Sequence, residues 1–305
     1  MISYLDSKKY FLISLYFFTL LTVGFLIFPD YGISIDEDNT RINGFVSLKY
    51  IFEIFFPNQV NEIDRFTNIP SMSQWTEQGH GIIFDLPTAY LELTLQIEDS
   101  RKYYLMRHFV NFLFFLVAVY FFFLLIKKRY NSWIIGILGS SFLFLSPRIF
   151  AQSFYNNKDI VFMSLFVISL YTAINFLEKP NVKNAIIFSI ISSLAIDIRI
   201  LAVFLPILVF LIYIINIYWV ENYKKNTIKP LLLFLILTPL FITFFWPYLW
   251  QDPLGNFIII FKSLSNFDEN IYNFYLGQYI SAKNLPWHYP LVWIFISTPL
   301  FYIIL

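Results

Sequence analysis

Residues 10–29 read YFLISLYFFTLLTVGFLIFP, an apolar run long enough to cross a bilayer as one helix. A helix needs about 20 such residues to span a hydrocarbon core of roughly 30 Å. The whole chain of 305 residues shares this character, with 58% hydrophobic, 22% aromatic and only 13% charged residues. Soluble domains are about 25% charged. The stretch and the composition together predict an all-α polytopic membrane protein.

Eight apolar segments have the character of transmembrane helices. The first follows a basic start and is too long for a cleaved signal, so we interpret it as an uncleaved span. The predicted spans are 10–29, 106–126, 132–146, 160–177, 185–197, 199–220, 230–247 and 287–305. We expect one domain over residues 1–305, and because the chain stops inside an apolar run we also expect a C-terminal truncation.

The run from 185 to 220 is too long for one crossing, and we divide it at Asp197 and Arg199 because mid-membrane charges are costly. With this division, most lysines and arginines of the short loops fall on one side, which the positive-inside rule makes the cytoplasm. All acidic residues except Asp6, Glu178 and Glu221 then lie outside. A single crossing would place the lysines of 224–226 outside, against this bias. We expect a bacterial inner-membrane protein with a cytoplasmic N-terminus.

The first exterior loop, residues 30–105, is long and contains two stretches with helical periodicity. These stretches, 39–56 and 82–99, resemble helices that lie along the membrane interface. At the start of this loop stand Asp36, Glu37 and Asp38. A carboxylate at such a boundary can act as a base, although acids also simply decorate outer loops. We interpret Asp38 as the cap of the following helix.

Two later exterior loops supply further charges. The segment SPRIFAQSFYNNKD, residues 146–159, contains Arg148, Lys158 and Asp159, and Asp159 alone is also explained as a helix cap. The segment AIDIRIL, residues 195–201, contains Asp197 and Arg199. This pair either binds an anionic ligand through the guanidinium or satisfies itself as an ion pair at a tight turn.

Other polar residues carry less information. Arg107 and His108 stand at the exterior start of the second span, where we interpret them as interfacial anchors. Cysteine is absent, which excludes disulfides and thiolate metal sites. The three histidines form no ligand pattern, and the net charge of +1 gives no basic stripe for nucleic acid. No cofactor is indicated, and a divalent metal stays open.

These segments in this order resemble the GT-C glycosyltransferases that use lipid-linked donors, the class of protein O-mannosyltransferases and aminoarabinose transferases. The resemblance rests on IDED after the first span, the long first exterior loop, SPRIFAQSFYNNKD, AIDIRIL, WPYLWQDP and LGQYISAKNLPWHYPLVWIF. It covers most of the chain. Family members are commonly longer and have more spans than the eight predicted for this bundle.

The resemblance implies sugar transfer from a polyprenyl phosphate to an acceptor hydroxyl at the exterior face, with inversion. Asp36 would be the general base, and Glu37 would assist or orient the acceptor. The leaving phosphate needs positive charge, which the resemblance assigns to Lys158 and Arg199, then Arg148. Asp159 and Asp197 would position the acceptor or a metal.

Two alternatives from other classes remain. A transporter would line a path through the bilayer with its intramembrane charges, whereas here the charges gather at the exterior surface and no inverted repeat is visible. The other alternative is a non-catalytic subunit of a membrane assembly. The expected partners are the lipid-linked donor, membrane lipids and an acceptor that is a protein, a lipid or a glycan.

Overall fold

The computed structural model describes residues 8–219, 227–265 and 271–304. The chain begins with the apolar helix α1 (Lys9–Ile27), and the first exterior loop then forms α2 (Glu37–Phe55), three short 3₁₀ turns and α3 (Asp85–Thr94). Both helical stretches expected in this loop are therefore confirmed as helices. Pro87 occupies the first turn of α3, where its missing N–H costs no hydrogen bond.

The central bundle follows. Its helices are α4 (Ser100–Tyr130), α5 (Trp133–Phe144), α6 (Pro147–Tyr155), α7 (Asp159–Glu178), α8 (Val182–Ile198), α9 (Phe204–Trp219) and α10 (Ile228–Phe245). Helix α4 packs against α5 and α7, α7 packs against α8, and α8 packs against α10. Both ends of α4 are stabilised by charged side chains. At its start, Asp99 accepts a hydrogen bond from the Lys102 N–H, and in its last turn three basic residues interact favourably with the helix dipole.

The number of spans differs from the expected eight. Among the described residues, five helices are long and apolar enough to cross a membrane, or six if the bent pair α5 and α6 is one span. That pair is bent by 67°. Helix α8 is one of the expected spans but has only 17 residues. The all-α polytopic architecture is confirmed, and the count of eight is not.

The division of the 185–220 run is confirmed at the expected position. Helix α8 ends at Ile198, a 3₁₀ turn covers Ile200–Val203, and α9 begins at Phe204. Arg199 has extended dihedral angles, φ −144° and ψ 115°. The charged pair therefore lies at the end of a helix, just before a 3₁₀ turn, and does not interrupt a continuous helix.

The C-terminal part is less regular than the expected span 287–305. After α11 (Pro253–Ser265), residues Tyr272–Tyr275 and Gln278–Ser281 form a two-stranded antiparallel hairpin, β1 and β2. Its two turn residues, Leu276 and Gly277, both have positive φ, as a type I′ turn requires. The apolar run then gives two short helices, α12 (Tyr289–Ser297) and α13 (Leu300–Ile304), because Pro299 separates them.

Candidate active site

One small pocket lies where the first exterior loop meets the start of α7 and the end of α8. It collects charged and polar side chains from sequence segments that are far apart. Its lining includes His80, Asp85, Asn157, Lys158, Ile198 and Arg199. Lys158 and Arg199 were expected to share a site, and the structure brings them together. His80 and Asp85 were not expected there.

The two cations of the pocket differ in their pairing. In the described part of the chain, the ammonium group of Lys158 makes no ion pair or hydrogen bond. The guanidinium of Arg199 pairs with Asp159, with Nη2 2.5 Å from Oδ1, and both side chains are about half exposed. An exposed pair of this kind contributes little stability, so a bound anion can compete for Arg199.

Of the two alternatives for Asp197 and Arg199, the ion pair between them is not formed, because Arg199 pairs with Asp159. Asp197 is still inside α8, whereas Arg199 follows the helix in extended backbone, so their side chains diverge. Asp197 is buried, and its Oδ1 accepts hydrogen bonds from the backbone N–H groups of Ile82 and Ile83, at 2.8 and 3.0 Å. Its Oδ2 is buried without a partner. Asp197 thus docks the first exterior loop onto the end of α8.

Gly81 makes this docking possible. A Cβ atom built on Gly81 would lie 1.7 Å from the backbone oxygen of Asp197. Only a residue without a side chain allows the loop to approach the helix end so closely. This contact fixes His80 beside the pocket.

Asp36 is exposed and immediately precedes α2, but its side chain makes no capping hydrogen bond. Its charge nevertheless acts on His80, as do the charges of Lys158 and Arg199. Lys158 and Arg199 line the pocket together with His80, whereas Asp36 is not among its described lining residues and acts on His80 only through its charge. Arg148 is exposed on α6 and does not belong to the described lining of the pocket.

The pKa of His80 is shifted by burial and by these charges. Burial lowers the pKa of His80, and the positive charges of Lys158 and Arg199 lower it further. Glu77, whose Oε2 is 2.6 Å from Nε2 of His80, and Asp36 oppose the shift without cancelling it. Because the neutral form is favoured, the imidazole has both a donor and an acceptor nitrogen near the pocket.

Glu37 is buried, although it was expected to meet the acceptor. Its Oε1 is 3.0 Å from Nε2 of His108, and its Oε2 accepts the backbone N–H of Ser34 at 2.7 Å. His108 is buried as well, so its interpretation as an interfacial anchor is wrong. The pair fixes the segment before α2 against α4. Asp38 does not cap α2 either, because it lies inside the first turn and accepts a hydrogen bond from Tyr104.

Behind the pocket lies a buried polar network that sequence reasoning missed. Nη2 of Arg107 is 3.0 Å from Oδ1 of Asp85 and also donates to Thr40, while Nη1 donates to Thr88. Asn157 donates to the same Asp85 oxygen at 3.3 Å. Burial raises the pKa of Asp85, and the guanidinium of Arg107 opposes this shift. Arg107 is fully buried, so it is not an interfacial anchor.

The signal for this network was present in the sequence. Arg107 lies inside α4 at the edge of its apolar segment, and an ionisable residue in such a place indicates a buried partner. What was missing was the identity of the partner, since Asp85 is 22 residues away. Among the described residues, no group of three His, Asp or Glu side chains forms a metal-binding cluster.

An apolar groove of about 420 Å³ lies beside the same end of α8. Its walls come from α9, α10 and α11 and include Ile207, Phe210, Leu235, Pro239, Leu254 and Phe257. Ile196 of α8 and Val203 of the following turn also line it. The segment 196–203 thus contributes residues both to the groove and to the charged pocket.

These features define a polytopic helical membrane protein with a charged pocket at the helix ends and an apolar groove beside it. Residues 90–248, more than half of the chain, match the dolichyl-phosphate-mannose-protein mannosyltransferase family. The chain belongs to this family and is a membrane glycosyltransferase of the mannosyltransferase-like, GT-C class. Among curated proteins and solved structures, none shows a significant match to the chain. The matched segment includes Lys158 and Arg199 but begins after Asp36 and His80.

Proposed function

We propose that the protein transfers a sugar from a polyprenyl-phosphate-linked donor to an acceptor hydroxyl at the exterior face of the membrane. The observation that carries this proposal is the pocket in which Lys158 and Arg199 face Asp85 and His80, within the electrostatic reach of Asp36. The family name specifies a dolichyl-phosphate-linked mannose donor and a protein acceptor. For this chain we leave the identity of the sugar open.

Positive charge at the pocket supports a phosphate leaving group. When the bond between the anomeric carbon and the phosphate oxygen breaks, the electron pair stays on the phosphate, and a cation stabilises it in the transition state. Lys158 is the first candidate because its ammonium group has no ion-pair partner among the described residues. Arg199 is the second, once the phosphate has replaced Asp159 as its partner.

The apolar groove supports a lipid-linked donor. A groove lined by Ile207, Phe210 and Leu235 suits the hydrocarbon tail of a polyprenyl chain, since apolar surface is buried on binding. Arg199 of the pocket directly precedes the 3₁₀ turn Ile200–Val203, and the last residue of this turn lines the groove. A donor with its tail in the groove would place its phosphate close to Arg199, at the beginning of this turn.

Asp36 is our candidate for the general base. In an inverting transfer, its carboxylate takes the proton from the acceptor hydroxyl while the hydroxyl oxygen bonds to the anomeric carbon. Glu37 is buried and paired with His108, so we assign it the role of holding Asp36 in place. Asp159 would hold Arg199 until the donor binds, and Asp197 would hold the loop that carries His80.

The substitution Asp36→Asn tests the assignment of the base. Transfer is measured with a radiolabelled polyprenyl-phosphate sugar and the purified protein in proteoliposomes. We expect Asp36→Asn to lower kcat by about 10²-fold or more, within the usual contribution of a general base. Asp64→Asn is the matched control, because Asp64 is an exposed acid of the same loop. Full activity of Asp36→Asn would remove Asp36 from this role. Movement of the donor across the membrane without transfer would indicate a transporter instead.

A further inference from the structure

Two polar pockets extend from the candidate active site along the exterior loops. The first has a volume of about 190 Å³ and is lined by Tyr50, Gln78, Tyr248, Gln251 and Asn256, among others. The second, of about 140 Å³, shares Gln78 and Tyr248 with the first. It also shares His80 with the charged pocket. The three pockets are therefore connected through common side chains.

The polar groups of these two pockets are available to a ligand. In the described part of the chain, the side chains of Tyr50, Gln78, Tyr248 and Gln251 make no hydrogen bond. Tyr50, Gln78 and Tyr248 are only partly exposed. Half-buried amide and phenol groups without partners are unfavourable unless water or a ligand satisfies them.

The polar side chains of the lining carry no fixed charge, and Met72, Ile259 and Ile260 add apolar surface. None of the described residues that line these two pockets is Asp, Glu, Lys or Arg. A phosphorylated acceptor would leave its charge without a counter-ion there, at a high cost in desolvation. The lining thus favours an uncharged ligand with many hydroxyl groups, because amide and phenol groups offer both donors and acceptors to hydroxyls.

The form of the lining favours a saccharide over a peptide. Peptides in extended form are usually recognised by a free strand edge together with apolar side-chain pockets. Here the polar side chains come from α2, α11 and the segments before α3 and before α11. The described lining of the two pockets includes no residue of a β-strand. The faces of Tyr50 and Tyr248 add aromatic surface next to these amides, which suits the apolar face of a sugar ring.

We propose that these pockets, lined by Tyr50, Gln78, Tyr248 and Gln251, form the acceptor subsite and bind a neutral oligosaccharide whose terminal hydroxyl reaches His80 and Asp36. The proposal rests on the proposed function of the charged pocket. Tyr50, Gln78 and Gln251 lie outside the matched segment 90–248, and Tyr248 is its last residue. The family match therefore does not specify this acceptor. The combined size of the two pockets is close to the lower end of the roughly 300–1,000 Å³ typical of small-molecule sites.

Binding is tested directly, without the reaction, by saturation-transfer NMR of neutral oligosaccharides with the full chain in nanodiscs. Gln78→Leu and Tyr248→Phe each remove hydrogen-bonding groups at similar volume, and we expect each to weaken binding about fivefold, as for the loss of one hydrogen bond. Gln59→Leu, an exposed glutamine of the same loop, is the control and should bind as the wild type does. Thermal unfolding of each variant confirms that it is folded.

Transfer assays separate this proposal from the proposed function. With a saccharide acceptor, Gln78→Leu and Tyr248→Phe should raise the KM for the acceptor and leave the KM for the donor unchanged. Transfer to serine- or threonine-containing peptides, without oligosaccharide binding, would overturn the saccharide subsite and leave the glycosyltransferase proposal intact. Oligosaccharide binding without any transfer would support the subsite and count against the proposed function. Binding that is unchanged in both variants would overturn the subsite.

Discussion

His108 and Glu37 form a buried pair that connects α4 to the start of α2, with Nε2 of His108 3.0 Å from Oε1 of Glu37. Glu37 is adjacent in sequence to Asp36, and its other oxygen holds the backbone N–H of Ser34. The carboxylate of Glu37 therefore fixes both ends of the short segment that presents Asp36. Because Glu37 is buried, neither of its carboxylate oxygens is exposed to an acceptor.

The first prediction concerns this pair. His108→Phe leaves the Glu37 carboxylate buried with one partner fewer, which we expect to cost about 1–3 kcal/mol of stability. His108→Gln retains a side-chain N–H and should recover part of this loss. Because Asp36 loses its fixed position, kcat per folded molecule should fall in His108→Phe and recover in His108→Gln, while the donor KM stays the same. Equal kcat values for both variants would contradict the positioning role.

The second prediction concerns the buried Arg107 and Asp85. Arg107→Met leaves Asp85 as an uncompensated buried charge, and removal of one member of such a pair costs about 3–5 kcal/mol. The loss is measured by thermal unfolding in detergent. The double variant Arg107→Met with Asp85→Asn should recover part of the stability, because no unpaired charge remains. Arg101→Met, at an exposed position near the start of α4, should leave the Tm unchanged.

The third prediction compares the three candidate phosphate ligands. Lys158→Gln should raise the donor KM or lower kcat by about tenfold or more, since hydrogen bonds to charged groups contribute about 1.5–3 kcal/mol. Arg199→Gln should act in the same direction. Arg148→Gln should behave like the wild type, because Arg148 lies outside the described lining of the pocket. Steady-state kinetics with varied donor distinguish the three, and a large effect at Arg148 alone would refute the pocket assignment.

The fourth prediction concerns pH. Burial and Lys158 lower the pKa of His80 below the ordinary value of 6.5, so the unfolded chain binds more protons than the folded one just below that pH. The free energy of unfolding therefore keeps its full value, as far as His80 is concerned, above pH 6.5. It falls progressively as the pH drops from 6.5 through the lower pKa that His80 has in the folded protein. His80→Gln should lose less stability than the wild type over this range. Parallel unfolding curves at each pH provide the measurement, and identical pH dependence would contradict it.

The fifth prediction uses two glycines of the same loop. Gly81→Ala places a methyl group against the backbone of Asp197 and should displace the segment that carries His80. We expect lower activity and the loss of the hydrogen bonds from Ile82 and Ile83 to Asp197. Gly32→Ala is the control, because its added Cβ would meet nothing within 4 Å. Slower amide hydrogen exchange at Ile82 in Gly81→Ala than in the wild type would contradict this account.

Much of the fold could be predicted because the bilayer dictates its elements. An apolar run must form a helix to satisfy its own backbone in lipid, so the positions of α1, α4, α7, α9 and α10 follow from composition. The break after Asp197 follows from the cost of charge in the membrane. The last segment was mispredicted, because Pro299 divides a run whose composition alone resembles one span.

The candidate site was only partly predictable for a geometric reason. Charge type and loop position indicated Lys158 and Arg199, but the sequence gives no distance between loops. Proximity in sequence suggested that Arg199 pairs with Asp197, whereas its partner is Asp159, 40 residues away. On α4, the position of Arg107 indicated a buried partner, but nothing in the sequence identified Asp85, 22 residues away, as that partner.

The docking of the first exterior loop by Asp197 has a consequence for the biogenesis of the protein. Ile82 and Ile83 are separated from Asp197 by 115 and 114 residues. At a synthesis rate of about 5–20 residues per second, roughly 6–23 s pass between the synthesis of Ile82 and that of Asp197. During that interval the loop lacks its anchor, because α8 has not yet been synthesised. The charged pocket is thus completed late in synthesis, and a ribosome that stalls before residue 197 leaves a chain that lacks the residues of α8 that line this pocket and hold its loop.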